Sequence, residues 1–168
     1  MPTGWEISNR KFAKVSKDQT LAGSNTTVST ALFRVTGAVQ INQLYGEVTT
    51  DLGSNVTAAY YRLNDQTAQV NITLNTGTTL SAIKTGSVIA KAGLAAAAVV
   101  KIDNAAGRVN EPTTLETGYF SPFVVTKKTA ANTDIEFTYT TTNTPTSGVI
   151  RHYVEYETLS SDGAITPL

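Results

Sequence analysis

The chain has 168 residues, with 13 basic and 13 acidic side chains, one histidine and no cysteine. A formal net charge of +0 provides no global field for nucleic acid, and no basic cluster interleaves with aromatics, so no nucleic-acid partner is expected. Absent cysteine rules out disulfides and thiolate metal sites. Charged residues, at 15%, fall below the roughly 25% of typical soluble domains, and threonine replaces much of that polarity.

Residues 1–27 carry Arg10, Lys11, Lys14 and Lys17 without sustained alternation and close on Ala22-Gly23-Ser24-Asn25. They are expected to form an extended N-terminal arm ahead of one β-sandwich domain over 28–168. Trp5, Ile7 and Phe12 are its apolar anchors, and its expected docking surface is the protein's own sheet. Met1–Glu6 lacks the charged-then-apolar layout of a signal peptide, so synthesis in the cytoplasm is expected. The longest apolar run, Ala92–Val100, is interrupted by Gly93 and is too short to span a bilayer, so no membrane partner is expected.

Val28–Val35 reads as a strand with Ala31, Phe33 and Val35 on one face, ended by Gly37. Val39–Thr50 follows, with Leu44 and Val48 on one side and Val39, Ile41 and Tyr45 on the other. Such a pattern predicts burial on both faces, or cover from a neighbouring subunit. After the turn cluster Asp51–Asn55, Ala58–Asn64 and Thr67–Leu74 read as strands. The second alternates Ala68, Val70, Ile72 and Leu74 with polar residues, the cleanest half-buried pattern in the chain. Thr79–Ile83 and Ser87–Ala90 read as short strands. Leu94–Val100 reads as a short helix, from its four consecutive alanines, or as a buried strand. Asn104–Pro112 reads as a loop. Asp134–Thr142 and Val149–Thr158 are strongly alternating strands joined by a turn at 143–148. Many short strands between turn clusters predict an all-β fold, an antiparallel β-sandwich or jelly-roll-like barrel.

Little in the chain can do chemistry, and no enzyme is expected. His152 shares a strand face with Ile150 and Val154, the setting of a core histidine with a hydrogen-bond partner. Glu155 and Glu157 lie about 7 Å apart by strand rise, near a glycosidase spacing, but any strand with glutamates at i and i+2 gives that distance. Arg151 on the same face is the expected neutralising partner. Asp51 with Asn55, and Asp103 with Asn104, match no calcium loop and fit turn chemistry, so neither a metal nor a cofactor is expected. The sequons at Asn25, Asn55 and Asn71 arise readily by chance in a chain rich in asparagine and threonine.

Two segments carry a resemblance. Thr30–Thr50 (TALFRVTGAVQINQLYGEVTT) pairs two strands across Thr36-Gly37 and ends Gly-Glu-Val-Thr-Thr, and the ending Ser147–Leu168 (SGVIRHYVEYETLSSDGAITPL) is a closing strand followed by Leu-Ser-Ser-Asp-Gly and the last residues. Both are similar to small proteins encoded in the head-gene region of tailed bacteriophages, although the second carries an extra serine at Ser160-Ser161. The similarity covers roughly the first and last quarters of the sandwich, and residues 79–128 take no part in it. It implies a capsid decoration, or cement, protein: a sandwich on the outer shell of the virion, commonly a homotrimer at three-fold or quasi-three-fold positions, with the major capsid protein as partner. On that reading Val39, Ile41 and Tyr45 are candidates for subunit contact, and Trp5, Ile7 and Phe12 for gripping the capsid or a neighbouring copy. Two other readings stand beside it. One is a head-fibre or tail-fibre module. The other is a carbohydrate-binding module using Tyr60, Tyr61 or Tyr153 as sugar platforms.

Overall fold

The computed structural model describes residues 12–53, 56–74, 80–91, 99–102, 122–142 and 147–168. Trp5, Ile7, Asn55, Asp103, Asn104 and the alanine run before Val99 lie outside them. Eleven strands follow in order: β1 Phe12–Thr20, β2 Thr27–Thr36, β3 Ala38–Thr50, β4 Val56–Asn64, β5 Gln69–Asn71, β6 Val88–Lys91, β7 Val99–Ile102, β8 Phe123–Thr126, β9 Thr133–Thr141, β10 Val149–Thr158 and β11 Ala164–Pro167. There is no helix among the described residues.

The strands form two antiparallel sheets packed as a sandwich. The first runs β1-β10-β3-β6-β7, with β8 also paired to β3, and the second runs β11-β2-β9-β4-β5. From β1 to β4 the chain alternates between sheets, so each connection crosses an end of the sandwich. The long strand β3 holds β10 along one side and, on the other, β8 at Ala38–Ile41 and β6 at Tyr45–Glu47.

Part of the expected arm is built into this scaffold. Residues 12–20 form edge strand β1, paired in unbroken register with β10 from Phe12↔Glu157 to Thr20↔Val149. Its alternation is present but muted: Ala13, Val15, Lys17 and Gln19 face the core side, where only Gln19 is fully buried. An inward lysine on a nine-residue edge strand discourages pairing with other chains.

The two-sided appearance of β3 has a simple cause. Glu155 pairs with Gln43 and Tyr156 with Ile41, which leaves Asn42 as the extra residue of a β-bulge. The bulge flips side-chain parity, so Val39 and Ile41 below it share the inner face with Leu44 and Val48 above it. All four are buried in the core, and only Tyr45 points outward. The inner face of the second sheet opposes them with Phe33, Val35, Tyr61, Ile135, Phe137 and Tyr139. Burial of each such side chain contributes on the order of 1.5–3 kcal/mol.

Elsewhere the expected strands need correction. Thr67–Leu74 forms a strand only over Gln69–Asn71, with an isolated bridge at Leu74; Ala68, Val70 and Leu74 are exposed, and both Ile72 and Thr73 turn inward where their amides bond the Tyr61 carbonyl. Leu80–Ile83 is a turn with Ala82 at φ 57, and Leu80 and Ile83 plug the sandwich end instead of extending a sheet. Val99 and Val100 belong to β7, which bears out the strand alternative for the end of Leu94–Val100; Leu94–Ala98 lie outside the described residues.

The outer face of the second sheet closes on itself. Thr27 bonds Thr140, Ser29 bonds Thr138, and Arg34 grips Asp134 through two hydrogen bonds of 2.9 and 3.1 Å. Glu136 accepts from Arg62 at 2.6 Å and from Asn64 at 2.8 Å. Both partners of that ion pair are mostly buried, so Glu136→Ala takes away the counter-charge of the Arg62 guanidinium and leaves it the neutral Gln69 oxygen at 2.7 Å. It is expected to cost about 2–3 kcal/mol in urea denaturation. A loss under about 0.5 kcal/mol would show the pair to be solvent-like.

Candidate functional site

The histidine sits where chemistry is least available. His152, on β10, is fully buried between the sheets. Its Nε2–H donates to the Gln19 side-chain oxygen at 2.8 Å, which leaves Nδ1 to accept from the Tyr61 hydroxyl at 2.9 Å. The three residues come from β10, β1 and β4, so the chain of bonds ties the edge strand and both sheets together. Burial pulls the His152 pKa down to about 3 and pushes the Tyr61 hydroxyl far above its ordinary range. The imidazole is therefore neutral, packed at 4.8 Å from the Phe137 ring, and has no route to a substrate. The Gln19 amide nitrogen has no hydrogen-bond partner among the described residues.

Among the described residues, the outer face of the first sheet is the most distinctive part of the surface. Register places Ser16, Tyr153, Tyr45 and Ala90 in one cross-strand row. Tyr45 stacks on Tyr153 with centroids 4.9 Å apart and 23° between planes. The Lys14 ammonium lies 5.2 and 4.6 Å from the two ring centres, donates to the Tyr45 hydroxyl at 2.5 Å and pairs with Glu155 at 3.1 Å. The Tyr45 hydroxyl, then Glu155, raise the Lys14 pKa. Tyr153 donates to Glu47. Arg151 does not neutralise the glutamates as expected; it forks onto Asp18 at 2.6 and 2.9 Å and lowers that carboxyl's pKa. Glu157 accepts instead from Asn42, the bulge residue.

Around one corner of this face the surface turns apolar. The row Phe12, Glu157, Gln40 and Val124 crosses β1, β10, β3 and β8, and Leu159 leaves β10 on the same side, its amide bonded to the Ala38 carbonyl. Phe12, Val124 and Leu159 are all exposed.

Of the six residues expected at contacts, the structure thus puts Phe12 and Tyr45 on one outer face and Val39 and Ile41 in the core; Trp5 and Ile7 lie outside the described residues. Of the proposed sugar platforms, Tyr61 is buried and Tyr153 has Tyr45 and Lys14 against its ring. Sequence reading did not single out Lys14 in this cluster, although its placement opposite Glu155 follows once β1 is paired with β10.

A cleft of about 330 Å³ opens between the β4–β5 hairpin and the β8–β9 loop, lined by Leu63, Asp65, Ala68, Val70, Thr126, Lys128 and Thr133. Its charges are already satisfied. Asp65 accepts from the Ala68 and Thr67 amides and pairs with Lys128, an arrangement that holds its pKa well below the carboxylate range. Asp51 likewise binds Lys84 and caps the Thr85 amide. No cluster of three or more His, Cys, Asp or Glu residues suited to a metal occurs among the described residues.

The two segments that carry the resemblance meet at one corner of the sandwich. β3 pairs with β10 and β11 pairs with β2, which brings the Thr36-Gly37 bend against the Ser160–Gly163 turn. The Ala38 amide donates to Ser160 Oγ at 2.8 Å, Ser160 Oγ donates to Asp162, and the Thr36 hydroxyl donates to the Asp162 carbonyl. Gly37 has φ 56, and a Cβ there would collide with Asp162 and Ser160 side-chain oxygens.

Comparison with protein families, with curated proteins and with solved structures finds no match to this chain.

Proposed function

We propose that this protein decorates and stabilises the outer surface of a tailed-phage capsid, as a homotrimer at three-fold or quasi-three-fold positions, with the major capsid protein as partner and the virion as its location. The observation that carries the reading is the interlocked corner. The two stretches that resemble capsid decoration proteins lie more than 95 residues apart in sequence, yet pack as one unit built from β2, β3, β10 and β11. A shared structural unit is a stronger basis for the resemblance than two unconnected strings.

The rest of the molecule suits a passive, durable role. Its single histidine is locked in the core, and its second sheet is sealed by reciprocal hydroxyl and arginine–carboxylate bonds. Stabilisation then works by linkage. A protein that binds only the assembled shell adds about 2.7 kcal/mol per site when its free concentration is a hundred times its Kd, repeated over every copy. Among the surface aromatics, the occupied ring of Tyr153 favours protein contact over sugar stacking.

Purified protein mixed with capsids stripped of it should sediment with them and saturate at three copies per three-fold site. Absent or unsaturable binding would refute the reading and return the weight to a fibre module.

A further inference from the structure

The cleft beside the β4–β5 hairpin has a neighbour. A second depression of about 290 Å³ is lined by Gln66, Lys127, Ala130, Ala131 and Asn132. Consecutive residues divide between the two: Asp65 and Lys128 line the first, Gln66 and Lys127 the second, so the depressions adjoin. Their chemistry differs. In the first, Leu63, Ala68 and Val70 supply an apolar wall, and Val70 stands 60% exposed. Its one ion pair is closed on itself. Lys128 lies 3.1 Å from Asp65 and also donates to the Thr67 hydroxyl, while the Thr67 and Ala68 amides hold Asp65. The second depression is polar, and its Lys127 is exposed and makes no ion pair among the described residues. Its rim is strained as well. Gln66 at φ 67 and Ala130 at φ 59 are two of the four non-glycine residues with positive φ among the described residues. Backbone strain of this kind collects where a surface is shaped for a ligand.

We propose that the two depressions together bind an extended segment of a partner protein, with an apolar side chain against Leu63, Ala68 and Val70 and a neighbouring aspartate or glutamate paired with Lys127. Charge decides the sign of the partner. Asp65 and Lys128 cancel, so Lys127 leaves the site with a net positive charge that an acidic residue answers. Form decides between a peptide and a compact ligand. A compact ligand fills one depression only. An extended chain advances about 3.3 Å per residue and points successive side chains to opposite sides, so two or three residues reach both. An apolar residue beside a carboxylate-bearing one is therefore the smallest unit the site recognises. This inference stands independently of the decoration reading.

Amide NMR of the isotope-labelled protein, titrated with a terminally blocked hexapeptide of alternating leucine and aspartate, tests this. Saturable shifts should appear at the amides of residues 63–70 and 126–132 and leave the outer face of the first sheet unmoved. The same peptide with lysine in place of aspartate should bind about tenfold more weakly. The aspartate peptide should lose about as much against Lys127→Glu or Val70→Asn; both residues are exposed, so the sandwich stays folded. The absence of saturable shifts, or shifts confined to other residues, would overturn the proposal. So would equal affinity for the two peptides, or binding indifferent to both substitutions. Octanoate saturating the same amides as tightly as the peptide would assign the site to a small amphiphile and would also overturn it.

Discussion

Gly37→Ala is expected to destabilise the protein by about 3 kcal/mol. Two costs combine. The residue has φ 56, a region that costs an L-residue roughly 1–2 kcal/mol, and the new Cβ must displace the Ser160 and Asp162 side chains, an overpacking cost of roughly 1–3 kcal/mol. Those side chains cannot yield freely, because Ser160 Oγ holds the Ala38 amide and Asp162 closes the turn before β11. Ser161→Ala, at the exposed tip of the same turn, is the matched control and should change stability by less than about 0.5 kcal/mol. Urea denaturation measures both. Equal tolerance of the two substitutions would mean that the corner is not the interlock described here.

Stability should also fall as the solution is acidified, well before carboxylates titrate. The folded-state pKa of His152 is about 3, below the ordinary 6.5, because burial disfavours the imidazolium. Between those values the unfolded chain binds a proton that the folded chain refuses. The stabilisation is therefore complete above pH 6.5 and is lost as pH falls toward 3, at about 1.4 kcal/mol per pH unit. From pH 6.5 to 4.5 the loss should be about 2–3 kcal/mol. Asp51, held at about 2 chiefly by its hydrogen bond with Lys84, and Asp18, lowered by Arg151, add losses only below their ordinary value of 3.8. The two effects thus occupy different pH windows. Urea titrations at pH 7, 5.5 and 4.5 should show the slope, and His152→Gln should flatten it despite a lower starting stability. A pH-independent stability over that range, or a histidine NMR resonance titrating near 6.5, would contradict a sealed neutral imidazole.

The strands legible in the sequence were those with a single, regular face. β9 and β10 announce themselves because their inner residues alternate without interruption over most of their length, whereas β2 carries a bulge at Leu32 that puts Ala31 on the opposite face from Phe33 and Val35, contrary to the expectation of one shared face. β3 is legible to within one residue of its start, Val39 against Ala38, but its faces are not, because the bulge at Asn42 inserts one residue and swaps the parity of Val39 and Ile41. A periodicity that changes phase mid-strand cannot be distinguished by pattern alone from a strand buried on both sides. Thr67–Leu74 failed for the opposite reason. Its alternation is perfect, yet it lies at a sheet edge, where Val70 has no opposing sheet to cover it. The contact surface was harder still. The Tyr45–Tyr153–Lys14 cluster draws on β3, β10 and β1, and only the sheet order 1-10-3 makes those residues neighbours.

Differential scanning calorimetry of stripped capsids, with and without saturating protein, tests the proposed capsid decoration most directly. The account predicts a capsid transition raised in temperature in step with occupancy. An unchanged transition at full occupancy would contradict it, because a ligand that prefers the assembled shell must stabilise it.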